Sequence, residues 1–256
     1  MLLFDYGHTL LAEPDWDFRR GAGALLACAT KNPLGVGAGE LAGLIQALWE
    51  KFLPVLRMDM NHHERQIMRL ATETLRLEFL LSFDELEMIY WENTVEPVLL
   101  PHIQELLDFL AEANVRTGVV SNMTFSGAGL TKRIAKKIRH RFEFVIASSE
   151  YGVRKPDPMI FQLALAKADL PPADIWFCGD NPRCDVDAAY AAGMRPVWYT
   201  DNTLPCPFRD ATQPEPTCPH LHIHDWRELM KILDLLGTSA KCDICGAPEA
   251  SRPTDA

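Results

Sequence analysis

A regular alternation of short apolar segments and amphipathic segments between residues 101 and 200 constrains the fold more than any other feature of this sequence. Apolar runs at 115–122, 142–147, 174–180 and 195–200 predict β-strands, and the segments between them carry apolar residues at helical spacing. Parallel strands need a long crossover, which a helix supplies, so this alternation is typical of a parallel sheet. The sequence therefore predicts an α/β fold with a doubly wound parallel sheet.

The amino-terminal segment predicts one more strand of this sheet, and that strand ends in a carboxylate. Met1–Phe4 is apolar and Asp5 follows it directly. Ser121 and Asp180 stand at the ends of two later strands, and Lys155 lies in a loop that opens a helix. An aspartate in a turn can simply accept backbone hydrogen bonds. Four polar residues at one edge of a sheet instead favour a functional site, because ligands of such sheets bind at the carboxyl ends of the strands.

A long helical stretch interrupts the alternation after Asp5. One helix is predicted by an apolar face at helical spacing, made of Leu41, Leu44, Ile45, Leu48, Trp49 and Phe52. Capping-box spacing predicts two more helices, one opening at Asn61 with Glu64 and one near Ser82 with Glu85. No convincing strand lies between these helices.

We therefore expect three parts in the chain. Residues 1–12 and 97–237 form the α/β core, and residues 13–96 form a small all-helical domain inserted after the first strand. Residues 238–256 form a flexible carboxyl-terminal tail, because their composition is polar and rich in small residues.

Charge and hydropathy exclude two classes of partner. The formal net charge is −10, and the one basic run, at 132–141, is interpreted as the solvated face of a helix whose apolar stripe is Ile134, Ala135 and Ile138. We expect no nucleic-acid partner. No apolar run is long enough to span a bilayer, and no basic segment precedes an apolar one at the amino terminus, so we expect no membrane partner and a cytoplasmic location. A homodimer is left open.

The seven cysteines are expected to be thiols, since nothing indicates a secreted chain. Cys242 and Cys245 form a single Cys-x-x-Cys, which is half of a zinc site. Cys206 and Cys218 could complete it, but Pro-rich segments and irregular spacing separate them. The alternative is that this region is simply a flexible tail.

Four stretches of the chain together resemble the motifs of the haloacid dehalogenase superfamily, most of whose members are phosphatases. The stretches are Phe4–Leu10, Val119–Asn122, Gly152–Phe161 and Gly179–Val186, the last followed by Ala191–Met194. The resemblance covers residues 1–12 and 97–235, and the fourth stretch is its most specific part. The helical insertion lies where that family has a cap domain, between the first and second motifs.

The resemblance implies a mechanism and a set of residues. It makes Asp5 the nucleophile, Ser121 and Asn122 binders of the transferring phosphoryl group, and Lys155 the cation that neutralises charge on nucleophile and phosphate. It implies hydrolysis of a small phosphorylated metabolite through an aspartyl-phosphate.

The same resemblance implies a magnesium ion at the site. Its ligands would be the carboxylates of Asp5, Asp180 and Asp185 and the backbone carbonyl of Gly7. Hard oxygen donors of this kind suit Mg²⁺, and the ion would supply positive charge where an anionic carboxylate approaches an anionic ester.

Gly7 departs from the family pattern. Most phosphatases of the family have a second aspartate there, which protonates the leaving oxygen and then activates water, and such a group contributes about 10²–10⁴-fold. An active phosphatase could use another acid or take substrates with good leaving groups. His8, Asp15 and Asp17 are candidate replacement acids.

Two other interpretations stay open. One is a weakly active or inactive protein that binds a phosphorylated ligand or regulates a partner. The other is phosphonatase or dehalogenase chemistry. A phosphonatase needs a lysine for a Schiff base, for which Lys31 and Lys51 are available. A dehalogenase fits poorly, because Gly179-Asp180 retains the metal-type fourth motif.

Overall fold

The computed structural model describes residues 1–200, 204 and 214–242, with the side chains described up to residue 237. Its strands are β1 (Leu2–Phe4), β2 (Leu11–Ala12), β3 (Ala29–Lys31), β4 (Glu78–Phe79), β5 (Val98–Leu99), β6 (Thr117–Ser121), β7 (Val145–Ala147), β8 (Trp176–Gly179), β9 (Arg195–Tyr199) and β10 (Leu221–Ile223). Its α-helices are α1 (Phe18–Cys28), α2 (Ala38–Arg57), α3 (Glu64–Thr74), α4 (Phe83–Thr94), α5 (Ile103–Glu112), α6 (Gly127–Lys137), α7 (Pro158–Ala168), α8 (Ala188–Ala191) and α9 (Trp226–Cys242).

The predicted parallel sheet is confirmed. Six strands pair in the order β10-β9-β8-β1-β6-β7, and every pairing between them is parallel. The central strand β1 is fully buried, and so is β6 beside it, as expected for strands covered by helices on both faces. The order reverses direction at β1, between β8 and β6, so the carboxyl end of β1 is the place where a doubly wound sheet forms its ligand crevice.

The edge strand β10 was not predicted. It lies in a stretch rich in histidine and proline, a composition that favours loops over strands. Leu221 pairs with Val197 in parallel register, and Ile223 is buried against the sheet. Two alternating apolar residues were too weak a periodic signal to identify a strand of this length.

Residues 18–94 are mostly helical, as predicted, but two details differ. A short antiparallel pair, β3 with β4, lies within this segment, so it is not all-helical. The helix predicted to open at Asn61 begins instead at Glu64, capped by His63 together with Gln66. The Asn61 side chain is committed elsewhere, since its amide donates to the carbonyl of Met123 and the hydroxyl of Ser148. The Ser82–Glu85 capping box is confirmed at α4.

The prediction that residues 132–141 form a solvated helical face is wrong at Arg133. Helix α6 ends at Lys137, and Arg133 is 2% exposed. Its guanidinium donates to Glu13 at 2.7 Å and to the backbone carbonyl of Val95 at 2.6 Å, and it lies over the ring of Trp91. The predicted apolar stripe also loses Ala135, which is exposed. A buried arginine with two partners is therefore part of the packing here.

At the carboxyl terminus the last helix continues further than expected. Helix α9 runs to Cys242, so residues 238–242 are helical where a flexible tail was predicted. Cys206 and Cys245 lie outside the described residues, and the zinc hypothesis stays a prediction. Cys28, Cys178, Cys184 and Cys218 are free thiols, as expected. Within the described ranges we find no helix that has both the length and the apolar character required to cross a bilayer.

Candidate active site

A cavity of about 660 Å³ lies at the carboxyl ends of β1, β6 and β8, and it is also lined by residues of the helical stretch. All seven residues predicted for the site line it: Asp5, Gly7, Ser121, Asn122, Lys155, Asp180 and Asp185. They come from four separate parts of the chain, and the parallel pairing of β1 with β6 and with β8 brings the strand ends together.

The centre of the site is a lysine held between two carboxylates. Nζ of Lys155 donates to Oδ1 of Asp5 at 2.7 Å and to Oδ1 of Asp185 at 2.6 Å. Lys155 and Asp185 are each 2% exposed and Asp5 is 8% exposed. Charges removed from water to this extent need partners, and here each has one.

Burial and neighbouring charge shift the pKa values of these groups. Burial is the main cause that raises the pKa of Asp5, Asp180 adds to it, and Lys155 opposes it. Burial also raises the pKa of Asp185, against the pull of Lys155. Burial alone would lower the pKa of Lys155, but Asp185 and Asp5 outweigh it and raise that pKa. Two carboxyls with raised pKa values beside one lysine are a perturbed cluster of the kind found at functional sites.

The loop that carries Lys155 is fixed by the side chain of Asn122. The backbone N–H of Lys155 donates to Oδ1 of Asn122, and Nδ2 of Asn122 donates to the backbone carbonyl of Lys155, both at 2.8 Å. Asn122 directly follows β6, so this pair ties the lysine loop to the end of the strand. Its side chain therefore positions Lys155, a role that the sequence did not suggest.

Asp185 is positioned by a glycine and an asparagine. A Cβ atom on Gly179 would lie 2.4 Å from Cβ of Asp185, so only glycine at this position allows the aspartate to approach β8 so closely. The backbone N–H of Asn181 donates to Oδ2 of Asp185 at 2.9 Å, and Oδ1 of Asn181 accepts from the N–H of Cys184. Asn181 thereby caps the π-helical turn Pro182–Asp187 on which Asp185 lies.

Three carboxylates converge as a cation site requires. Oxygen atoms of Asp5, Asp180 and Asp185 all lie within 4.8 Å of one another. Carboxylate oxygens are the donors that Mg²⁺ prefers, and clustered buried carboxyls favour a cation that offsets their repulsion. The residues present therefore fit a magnesium ion. Gly7 lines the same cavity beside Asp5.

The candidate replacement acids separate into two groups. His8 is buried, lines the cavity and has a positive φ of 53°. Asp17 caps α1 by accepting the N–H groups of Arg19 and Arg20, and neither Asp15 nor Asp17 lines the cavity. The lysines considered for a Schiff base, Lys31 and Lys51, are exposed and do not line it either.

Sequence reasoning missed several cavity residues. Glu64 was noticed only as a capping partner, yet it is 2% exposed and lines the cavity. Arg154, next to Lys155, also lines it, as do the aromatic residues Trp16, Phe18, Trp49 and Phe125. Arg154 could have been identified from the sequence, because it directly precedes Lys155. No local pattern marks Glu64 or the aromatic residues, because the packing of the helical stretch against the core brings them to the site.

Comparison with known proteins identifies the family. The profile of the family described as haloacid dehalogenase-like hydrolase matches residues 14–193 of the chain. The chain is 34% identical over 131 residues to a phosphoserine phosphatase of Thermus thermophilus, a match that covers 50% of each chain. It is 29% identical over 111 residues to a ribulose-1,5-bisphosphate 5-phosphatase of Halopiger xanaduensis, covering 43% of this chain and 46% of that one. The chain thus spans about half the length of these curated relatives.

Solved structures agree on the fold. The crystal structure of an L-2-haloacid dehalogenase superposes with a TM-score of 0.59 and 20% sequence identity, covering 91% of this chain and 98% of that one. At this identity the likeness establishes the shared fold, while the chemistry has to be argued from the residues of the site.

Proposed function

Because this chain belongs to the haloacid dehalogenase-like hydrolase family, we propose that it is a magnesium-dependent phosphatase that acts on small phosphate monoesters through Asp5. The observation that carries the proposal is the cluster of Asp5, Lys155, Asp180 and Asp185 at the carboxyl end of the central strand. Two relatives that the chain resembles are named as phosphatases of phosphoserine and of ribulose 1,5-bisphosphate. Their substrates differ, so the shared element is the ester and not the alcohol.

The first step would be attack on phosphorus by Asp5. A carboxylate oxygen of Asp5 forms a bond to phosphorus as the bond from phosphorus to the ester oxygen breaks, and the alcohol leaves with a proton taken from solvent or from an acid in the cavity. Lys155, 2.7 Å from Asp5, offsets the negative charge that gathers around the nucleophile. Ser121, buried at the end of β6, would donate its hydroxyl to a phosphoryl oxygen.

The second step would release phosphate. Water attacks the phosphorus of the aspartyl-phosphate, phosphate departs, and the Asp5 carboxylate is restored. Asp5, Asp180, Asp185 and the backbone carbonyl of Gly7 would hold the magnesium ion. When bound, the ion supplies positive charge that lowers the repulsion between carboxylate and ester.

The residue at position 7 limits which alcohols leave readily. With glycine there, no carboxyl at this position can protonate the leaving oxygen. Among esters that the cavity binds equally well, those whose alcohols leave without full protonation should therefore be hydrolysed fastest.

The test is hydrolysis of a panel of phosphate esters, with magnesium and with a chelator, by the wild type and Asp5→Asn. Asp108→Asn, an exposed aspartate on α5, is the matched control. We expect metal-dependent phosphate release by the wild type and the control, and none by Asp5→Asn. Release that persists in Asp5→Asn would exclude Asp5 as the nucleophile.

Gly7 also supports a second candidate, a protein that binds a phosphorylated ligand without turning it over. This candidate predicts no phosphate release from any ester, together with tight binding of one of them to the wild type.

A further inference from the structure

Part of the cavity lining has no role in the proposed phosphoryl transfer. It is formed by residues of the helical stretch and of the loop after β6, and we call it the aromatic chamber: Trp16, Phe18, Trp49, Leu53, Glu64, Met123 and Phe125. Six of these seven side chains are apolar. These residues line the same cavity as Asp5, so they border the space available to the alcohol part of a substrate bound there.

Three of the four aromatic rings of the chamber pack against one another or against the core. Phe125 stacks on the buried ring of Trp91, with centroids 4.2 Å apart and planes 8° apart. Trp16 packs against Phe125 at 6.2 Å and against Phe18 at 6.0 Å. Trp16, Phe18 and Trp49 stay partly exposed. Trp16 and Phe18 are both packed and partly exposed, and ring faces of this kind are suited to stacking against a planar group.

Glu64 brings a carboxyl to the chamber, and it differs from the two other carboxyls that the helical stretch brings to the cavity, since Glu13 is paired with Arg133 and Asp59 with Arg183. Glu64 is 2% exposed and forms no ion pair within the part of the chain that the structure describes. Thr124 fixes it twice, because the N–H of Glu64 donates to the carbonyl of Thr124 at 2.7 Å and the hydroxyl of Thr124 donates to Oε2 at 3.1 Å. A carboxyl has about four acceptor sites, so Glu64 retains capacity for a donor brought by a ligand.

A carboxyl in such surroundings is costly without a partner. Burial, with Glu87 nearby, raises the pKa of Glu64 to about 7. A ligand N–H group would satisfy the carboxyl in either protonation state, since its carbonyl oxygen remains an acceptor when protonated.

Resting on the phosphatase function proposed above, we propose that the aromatic chamber binds a planar heteroaromatic ring with an N–H donor directed at Glu64, so that the substrate class is the nucleoside 5′-monophosphates. The cavity volume of about 660 Å³ is in the range of sites for ligands of this size. The ribose separates the phosphate at Asp5 from the base among the aromatic rings.

A matched substrate pair tests the chamber directly. Uridine 5′-monophosphate and ribose 5-phosphate share the sugar and the phosphate, and only the first has a base. We expect a kcat/KM at least about tenfold higher for the nucleotide, since base–aromatic stacking alone contributes about that much. Equal values, or a higher value for phosphoserine than for the nucleotide, would overturn the chamber proposal and leave the phosphatase function standing.

Two variants assign the preference to residues. Trp16→Leu keeps apolar bulk but removes a flat ring, and Glu64→Leu removes the acceptor. Each should lower the ratio of nucleotide to ribose 5-phosphate kcat/KM by about tenfold. Tyr190→Ala removes an exposed aromatic side chain outside the cavity and should leave the ratio unchanged. A ratio that both cavity variants preserve would contradict the proposal.

Binding separates this proposal from the proposed function. Calorimetry with Asp5→Asn measures the dissociation constants of uridine 5′-monophosphate and ribose 5-phosphate without turnover. Tighter binding of the nucleotide supports the chamber even if the wild type hydrolyses no ester, a result that would refute the phosphatase function alone. Equal dissociation constants would refute the chamber whatever the activity.

Discussion

At the scale of single residues, Gly7 is where the chain departs from most phosphatases of its family. The position itself accommodates a side chain, because a Cβ atom built there meets no atom within 4 Å. It also lines the cavity beside Asp5. A carboxyl added here would therefore have room to reach a leaving oxygen.

We predict that Gly7→Asp raises turnover of esters with poor leaving groups, such as alkyl phosphates, by about tenfold or more, since a positioned general acid contributes about 10²–10⁴-fold. Aryl phosphates with acidic alcohols should change little. Steady-state kcat for both ester types is the measurement. Gly7→Asn has the same shape without the acid, and an equal gain in that control would contradict the acid–base explanation.

Some residues of the site could be predicted from their local sequence and others could not. Asp5, Ser121, Lys155 and Asp180 are each signalled locally, by a strand end or by the start of a helix. Glu64 is not, because its place in the cavity depends on how α3 packs against the loop after β6. Long-range packing of this kind leaves no periodic signal in one sequence.

At the scale of elements, Arg133 joins the core to the segment that follows β2. From α6 it contacts Glu13 and the carbonyl of Val95, which lie before α1 and directly after α4 in sequence. Glu13 is further engaged by the hydroxyl of Tyr6 at 3.0 Å. The junction between helical stretch and core is thus a polar network centred on a buried arginine.

We predict that Arg133→Met destabilises the protein by about 3 kcal/mol, because it leaves the half-buried Glu13 carboxylate without its cation. Urea unfolding monitored by circular dichroism gives the free energy of unfolding. The double variant with Glu13→Gln should recover part of the loss. Lys132→Met, an exposed neighbour on the same helix, should be close to neutral, and a loss as large as that of Arg133→Met would contradict the network.

The elements that the sequence predicted are those with a strong local signal. Five strands, β1, β6, β7, β8 and β9, and the Ser82–Glu85 cap follow from apolar runs and capping chemistry. Strand β10 has only two apolar residues, and the start of α3 depends on Asn61 being bound to Met123 and Ser148 instead of capping a helix. In both cases contacts with residues distant in sequence determine the secondary structure, and the local pattern does not.

At the scale of the whole molecule, two buried groups act oppositely on stability as pH changes. Burial, with Arg154 and His63 nearby, lowers the pKa of His62 from 6.5 to about 4. Burial, with Glu87 nearby, raises the pKa of Glu64 from 4.5 to about 7. From pH 4 to 6.5 the unfolded chain holds the His62 proton more tightly, so stability rises with pH. From pH 4.5 to 7 the folded chain holds the Glu64 proton more tightly, so stability falls.

We predict that replacing either group reveals its own contribution to the pH dependence of stability. The contribution is the difference in free energy of unfolding between the variant and the wild type. Glu64→Gln should gain free energy of unfolding relative to the wild type as pH rises from 4.5 to 7, by up to about 3 kcal/mol. The free energy of unfolding of His62→Phe should fall relative to that of the wild type as pH rises from 4 to 6.5, because only the wild type gains stability from the titration of His62. Urea unfolding at several pH values measures both. Differences that do not vary with pH would show that neither group is perturbed.

The account as a whole depends on a covalent bond between Asp5 and phosphorus. Rapid acid quench during turnover, followed by borohydride reduction and peptide mass spectrometry, measures it directly, because reduction converts an aspartyl-phosphate to homoserine. We expect homoserine at position 5 only when a hydrolysable ester is present. Turnover with Asp5 unmodified, or with the phosphoryl group on another residue, would contradict the account.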